Sequence, residues 1–256
     1  MWDLHVGESF AWLRSLPDDS ADALITDPPY SSGGQYRADR AQSTGTKYVR
    51  GDVRDPGVDF QGDNRDQRSF LTWSTLWLSE ALRVVRPGGA VCLFTDWRQL
   101  PTMTDALQAG GWIWRGISVW DKTQGCRPTR GRFASQCEYV VWGSNGPMPF
   151  ERDAPTLPGV VTHHQRGTDK HHQTGKPTPV MRYVVQLCER GGTVIDPFAG
   201  SASTGVAALL EGRSFLGCEV SAHYAEVARK RLDAAARGVV LTSQDTAPGA
   251  PQASLW

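Results

Sequence analysis

The sequence predicts an α/β fold: a mostly parallel, twisted sheet with helices on both faces. Three observations lead there. Short apolar runs alternate with segments of helical periodicity along most of the 256 residues, the pattern of strand–helix–strand units with parallel strands. The length suits one domain with a sizeable core. Two acid-led turns, "DPPY" and "DPFAGSASTG", each follow an apolar run directly. In such sheets ligands sit outside the carboxyl ends of the strands, so these two turns are candidate walls of a single crevice.

Each element follows in order. "DLHV" is a short strand, "SFAWLRSL" (9–16) a helix with Phe10, Leu13 and Leu16 at helical spacing, and "ADALIT" (21–26) a buried strand. Residues 31–69 are polar and rich in Gly, Asp and Arg; an inserted loop of this length points to function or mobility. "FLTWSTLWLSEALRVV" (70–85) is an amphipathic helix stopped by "RPGG", and "AVCLFT" (90–95) is a strand. "LPTMTDALQAG" (100–110) is a helix; "WIWRGISVW" (112–120) and "CEYVVWG" (137–143) are strands. The pattern lapses over 144–177. It returns with helix 179–189, a strand ending in "TVIDPF" (193–198), helix 204–212, strand 214–220 and helix 222–237. One domain, 1–237, is expected, with a flexible tail over 238–256.

The formal net charge is zero but unevenly spread. Residues 1–30 carry six acids against Arg14; residues 122–190 carry ten Lys and Arg against five acids, together with four histidines. A basic face that meets a polyanion is consistent with this. Five widely spaced cysteines without a Cys-x-x-Cys pair suggest a reduced, cytoplasmic chain. No basic region followed by an apolar run opens the sequence, and no apolar stretch is long enough to span a bilayer, so neither a secretory signal nor a membrane segment is expected. His163, His164, His171 and His172 lack a Cys pair at finger spacing, and no metal is expected.

"DPFAGSASTG" (196–205) ends a strand with an acid, supplies small residues that let a ligand approach the backbone, and then starts a helix near Thr204. Glu219 closes the next strand, where an acid takes the hydroxyls of a ribose. The dinucleotide pattern G-x-G-x-x-G and the P-loop lysine are both missing, which favours a nucleoside-like ligand without a diphosphate. S-adenosyl-L-methionine fits, with its amino acid moiety at the Asp196 turn. "DPPY" (27–30) then has a chemical use. The lone pair of a nucleobase amine is delocalised into the ring, and acceptors for the amine hydrogens free it. Asp27 and the Pro28 carbonyl can be those acceptors, Pro29 holding the residue before it extended, while Tyr30 offers a flat face for the base. Catalysis would come from positioning and electrostatics, on a base extruded from its duplex.

Together these motifs resemble the amino-group DNA methyltransferases that use S-adenosylmethionine, over most of the chain. "DPPY" looks like the catalytic motif, "DPFAGSASTG" the cofactor loop and "GCEVS" the ribose strand; "HQTGKP" (172–177), "LRVVRPGG" and "CEYVVWG" also match. The catalytic motif precedes the cofactor loop, as in the permuted subgroup termed the beta class. The resemblance implies a Rossmann-like methyltransferase fold with permuted motif order. It places Lys176, Thr174 and His172 near the methionine end of the cofactor, Glu219 and Val220 at its ribose, and Glu8, where Asp is usual, at its adenine. Asp196, Pro197, Phe198, Gly200, Ser201, Ser203 and Thr204 would line the cofactor loop, with Ala202 where Gly is commoner.

The region 144–171 is the family's usual place for target recognition. Arg127, Arg130, Arg132, Arg166 and Lys170 are candidates for contacts to double-stranded DNA. Asp27 favours adenine N6, since serine is commoner there in cytosine-N4 enzymes; cytosine N4 and a catalytically inactive DNA-binding relative are the alternatives. Methylation of protein glutamine or RNA is disfavoured, because those enzymes place the cofactor loop first and carry Asn at the acid. A restriction nuclease partner and a monomeric or homodimeric state are left open.

Overall fold

A computed structural model describes residues 1–30, 65–124, 130–164, 175–243 and 245–246. In chain order the described elements are β1 (Trp2–Val6), α1 (Ser9–Ser15), β2 (Ala21–Thr26), α2 (Gln67–Val84), β3 (Val85–Thr95), α3 (Leu100–Ala109), β4 (Ile113–Asp121), β5 (Cys137–Ser144), β6 (Val160–Thr162), α4 (Thr178–Val185), β7 (Thr193–Asp196), α5 (Ser203–Leu210), β8 (Ser214–Glu219) and α6 (Ala222–Ala236). The strands form one sheet in the order β1-β8-β7-β2-β3-β5-β4-β6.

From β1 to β3 all neighbours are parallel, while β5 runs antiparallel to both β3 and β4. That reversal matters for function. It brings the start of β5 (Cys137 and Glu138) and the end of β4 (Asp121) to the edge where β2, β3 and β7 end.

Each sheet face carries its own core. On one, Ala23, Ile25, Phe94, Val194 and Phe215 pack with Val180, Val184, Ala207, Ala228 and Leu232 of α4, α5 and α6. On the other, Leu24, Leu93, Val141 and Ile195 meet Leu13, Trp77, Leu78, Met103 and Leu107 of α1, α2 and α3. Successive strand residues therefore feed opposite cores, which is why "ADALIT" is apolar at nearly every position. Leu24 and Ile25 are wholly buried, a gain of about 1.5–3 kcal/mol each.

α2 shows how local sequence sets an element. Phe70, Ser74, Trp77, Leu78, Ala81 and Val84 are its buried residues, one stripe at helical spacing. Asp66 caps it, accepting from the backbone N–H of Arg68 (3.1 Å) and Ser69 (2.9 Å), a contact that stabilises by about 1 kcal/mol. The helix starts at Gln67, three residues before the expected boundary, because that cap lies inside the polar run expected to be loop. "RPGG" does not separate helix from strand either. β3 begins at Val85 and passes through it, with a register shift between Ala21↔Val85 and Ala23↔Ala90. Gly88 takes φ +79 in the bulge, and Arg86 is tied by its Nε to Asp22 Oδ1 at 2.5 Å. β6, three residues inside the stretch expected to be structureless, pairs with the end of β4.

Candidate active site

The two special turns meet. β2 and β7 are adjacent in register, Leu24 opposite Ile195, so both acids emerge side by side. Thr26 donates its hydroxyl to Asp196 Oδ1 at 2.6 Å, and the Phe198 N–H donates to the same oxygen at 3.0 Å. Asp196 thus fastens the cofactor turn to the strand that carries Asp27. Burial pushes its carboxyl up to about 6, against hydrogen bonds from Thr204, Thr26 and Phe198.

Between the turns lies a cleft, partly open to solvent. Asp27 and Lys176 line it on one side; Asp196, Phe198, Gly200, Ser201, Ser203 and Thr204 line the other. Gly200 has φ +54, and a Cβ built there would meet nothing within 4 Å, so the turn presents bare backbone to open space at the amino end of α5. Two carboxylates for an ammonium group, small residues for close approach and a helix N-terminus for a carboxylate suit the zwitterionic end of S-adenosylmethionine.

Glu219 sits behind this turn. Its Oε2 accepts from the Gly200 N–H at 2.9 Å and its Oε1 from the Ser221 N–H at 2.8 Å, so it shapes the loop; it is not among the residues that line the cleft. Val220 is exposed and Pro197 is buried. The Phe198 ring packs against Trp73 (5.3 Å between centroids) and edge-on against Trp77 (5.1 Å). Glu8 is the N-cap of α1, accepting from the N–H groups of Phe10 and Ala11 at 3.0 and 2.8 Å.

The "DPPY" turn is fully engaged. Asp27 Oδ1 accepts from the Tyr30 hydroxyl, and Oδ2 from Lys176 Nζ at 2.5 Å. The ammonium lies 5.2 Å from the centre of the Tyr30 ring and 5.5 Å from that of Phe94. Beyond Lys176 stands Glu138 of β5, its Oε2 at 3.4 Å, and Glu138 in turn meets Lys122 Nζ at 3.2 Å. Burial alone would lower the Lys176 pKa, but Asp27 and Glu138 on either side raise it and keep the group cationic. Burial raises the Asp27 carboxyl, opposed by Lys176 and Tyr30. For Tyr30, burial and the neighbouring Asp27 carboxylate push the phenol well up, so it is a donor at every physiological pH.

Two supporting groups escape a motif search. Arg231 of α6 is 2 % exposed, and burial, with no nearby carboxylate among the described residues to offset it, lowers its pKa to about 10. Its Nη1 donates to the Ser201 carbonyl (2.5 Å), Ser201 Oγ (3.1 Å) and Ser203 Oγ (3.3 Å), bracing the cofactor turn from behind. Glu138 is the other. Its only signal is one acid in the otherwise apolar run "CEYVVWG".

Arg130 and Arg132 are exposed, on the segment between β4 and β5. Arg127, Arg166, Lys170, His172 and Thr174 lie outside the described residues, as do His171 and most of the 31–69 stretch. His163 accepts from Trp120 Nε1 through its backbone carbonyl at 2.9 Å, and among the described residues no group of three potential metal ligands comes together. No described helix is long and apolar enough to cross a membrane.

A mostly parallel sheet with a small-residue turn at one strand end and an acid–proline–proline–aromatic turn at the next defines a nucleoside-cofactor methyltransferase fold. The family comparison is more specific. The N6/N4 family model, described as DNA methylase, matches residues 21–158 and 153–230. The chain belongs to this family and is a site-specific DNA amino-methyltransferase that uses S-adenosylmethionine. It is 25% identical over 249 residues to the Type II methyltransferase M.HpaI of Haemophilus parainfluenzae, covering 88% of this chain and 72% of that one. Among solved structures, the M1.HpyAVI–SAM complex superposes with TM-score 0.65 at 21% identity, covering 91% of this chain and all of the other. The cytosine-N4-specific PvuII DNA methyltransferase superposes with TM-score 0.68 at 15% identity, covering 89% and 85%.

Proposed function

We propose that this methyltransferase modifies N6 of adenine in double-stranded DNA, with Asp27 and the Pro28 carbonyl as acceptors of the amine hydrogens. The observation that carries this is the carboxylate at the end of β2, on the wall of the cleft where serine is commoner in cytosine-N4 enzymes. The cofactor supplies, when bound, an electrophilic methyl group on a sulfonium. Asp27 orients the amine lone pair and stabilises the positive charge that develops on the nitrogen. The Tyr30 ring stacks on the extruded base.

Asp196, Lys176 and the Gly200–Thr204 turn hold the amino acid end of the cofactor, together with Thr174 and His172. Phe198, Glu219, Val220 and Glu8 serve its adenosine. Arg130 and Arg132, with Arg127, Arg166 and Lys170, contact the DNA, most of them on phosphates. The likeness to M.HpaI supports a place in restriction–modification and work on DNA in the cytoplasm.

The deciding experiment incubates the protein with DNA and S-adenosylmethionine, digests the product to nucleosides and identifies the modified base. N6-methyladenine is expected. N4-methylcytosine alone would overturn the adenine assignment, and no modified base would favour an inactive relative. Sequencing of the methylated positions in the same DNA yields the recognised site.

A further inference from the structure

We propose that Glu138 is a positioning residue for methyl transfer: it takes the Lys176 ammonium from Asp27 when the target amine enters. This rests on the role of Asp27 proposed above. Both oxygens of Asp27 are occupied, Oδ1 by the Tyr30 hydroxyl and Oδ2 by Lys176 Nζ at 2.5 Å. Each carboxylate oxygen has two lone pairs, so an amine hydrogen can approach, but at Oδ2 it competes with the ammonium for the same negative charge. Lys176 is 6 % exposed, so the ammonium cannot swing into solvent, and leaving Asp27 with no other anion would cost more than the amine returns.

Glu138 supplies that anion. Its Oε2 is buried, accepts no other hydrogen bond among the described residues, and already stands 3.4 Å from Lys176 Nζ. A shift of roughly 0.6 Å closes this contact to hydrogen-bond length and lengthens the 2.5 Å bond to Asp27 Oδ2, which weakens the ammonium's hold on that oxygen. Lys122 grips the other oxygen of Glu138 at 3.2 Å, so the acceptor stays in place while the ammonium moves.

The four charges alternate in sign, Lys122, Glu138, Lys176, Asp27, and sum to zero. Removing Glu138 leaves an excess positive charge beside a nitrogen that must itself become positive. It also takes from Lys176 the carboxylate that stands on the side away from Asp27. Glu138 itself does not line the cofactor pocket, and in its absence Lys176 keeps its place on the wall through Asp27. Ground-state binding should survive while the chemical step slows.

Steady-state methylation of DNA tests this with Glu138→Gln, Glu138→Asp, Lys176→Met and the Glu138→Gln/Lys176→Met pair, beside Asp27→Asn. In Glu138→Gln we expect kcat to fall about 100-fold, the scale for a lost charge-positioning group, with KM for DNA and for S-adenosylmethionine within about threefold of wild type. Glu138→Asp should recover about tenfold of that loss. The double variant should be no slower than Lys176→Met alone, because without the ammonium Glu138 has nothing to draw away. A kcat within threefold of wild type in Glu138→Gln, a KM that rises in step with the loss, or additive losses in the double variant would each overturn the assignment. Should Glu138→Gln not fold, Lys122→Met frees the same carboxylate from its anchor; a kcat there equal to wild type would also overturn it. Full activity in Asp27→Asn would instead remove the reading beneath it, which separates the two failures.

Discussion

Asp196→Asn should make this protein more stable at neutral pH and worse at holding its cofactor. The carboxyl is 2 % exposed, and burial lifts it from an ordinary 3.8 to about 6. The folded chain therefore binds the proton more tightly than the unfolded chain does. Stability is unpenalised below pH 3.8, falls as pH rises from 3.8 to 6, and carries the full penalty above 6. A rise from 3.8 to about 6, at 1.36 kcal/mol for each pH unit, is a penalty of ~3 kcal/mol at pH 8 and roughly half that at pH 5. Asparagine keeps an acceptor for the Thr26 hydroxyl and the Phe198 N–H, both of which use Oδ1, and carries no charge. Urea unfolding of both proteins at pH 8 and pH 5 is the assay. The variant should gain about 2–3 kcal/mol at pH 8 and about 1 kcal/mol less than that at pH 5. A variant less stable than wild type at pH 8, or a gain that does not change with pH, would refute the charge argument. Titration with S-adenosylmethionine should show weaker binding at the same time, a trade of function against stability.

Asp27→Ala should lower methylation at least about 10³-fold while gel-shift binding of DNA is retained. Arg231→Met should leave stability within about 2 kcal/mol, since relief of a buried charge offsets lost hydrogen bonds, yet weaken S-adenosylmethionine binding about tenfold by calorimetry because the Ser201–Ser203 turn loses its brace. Gly205→Ala should cost about 1–3 kcal/mol in denaturant unfolding, because a Cβ there would lie 2.6 Å from Leu232 Cδ2 and from the Phe215 ring.

The sheet was legible because each buried strand is a short apolar run between breakers, and the pairing of the two acid-led turns followed from the strand-end rule for open sheets. Asp27, Lys176, Asp196, Phe198, Gly200, Ser201, Ser203 and Thr204 line one cleft. What escaped depends on contacts between residues far apart in sequence. Arg231 looks like one more solvated cation in "AEVARKRLDAAA", and only the packing of α6 on α5 turns it inward. Glu138 reads as an edge acid until the reversed direction of β5 is known, since that reversal alone brings it to the active edge. The bulged start of β3 was missed for a related reason: proline and two glycines normally end an element, and nothing local announces that Arg86 will be fastened to Asp22.

The closed bonding of the "DPPY" turn has a further consequence for selectivity. At rest each oxygen of Asp27 already accepts a hydrogen bond, one from a phenol and one from an ammonium, so every base that approaches it as proposed meets the same entry cost. An amino-bearing base repays it by contributing N–H groups of its own. Thymine, with a carbonyl at the corresponding position, has no hydrogen to give there and leaves the resting pair intact. On the role proposed for Asp27, the pocket would sort bases by hydrogen-bond polarity before any question of ring size arises, even when the wrong nucleotide has already been swung out of the helix.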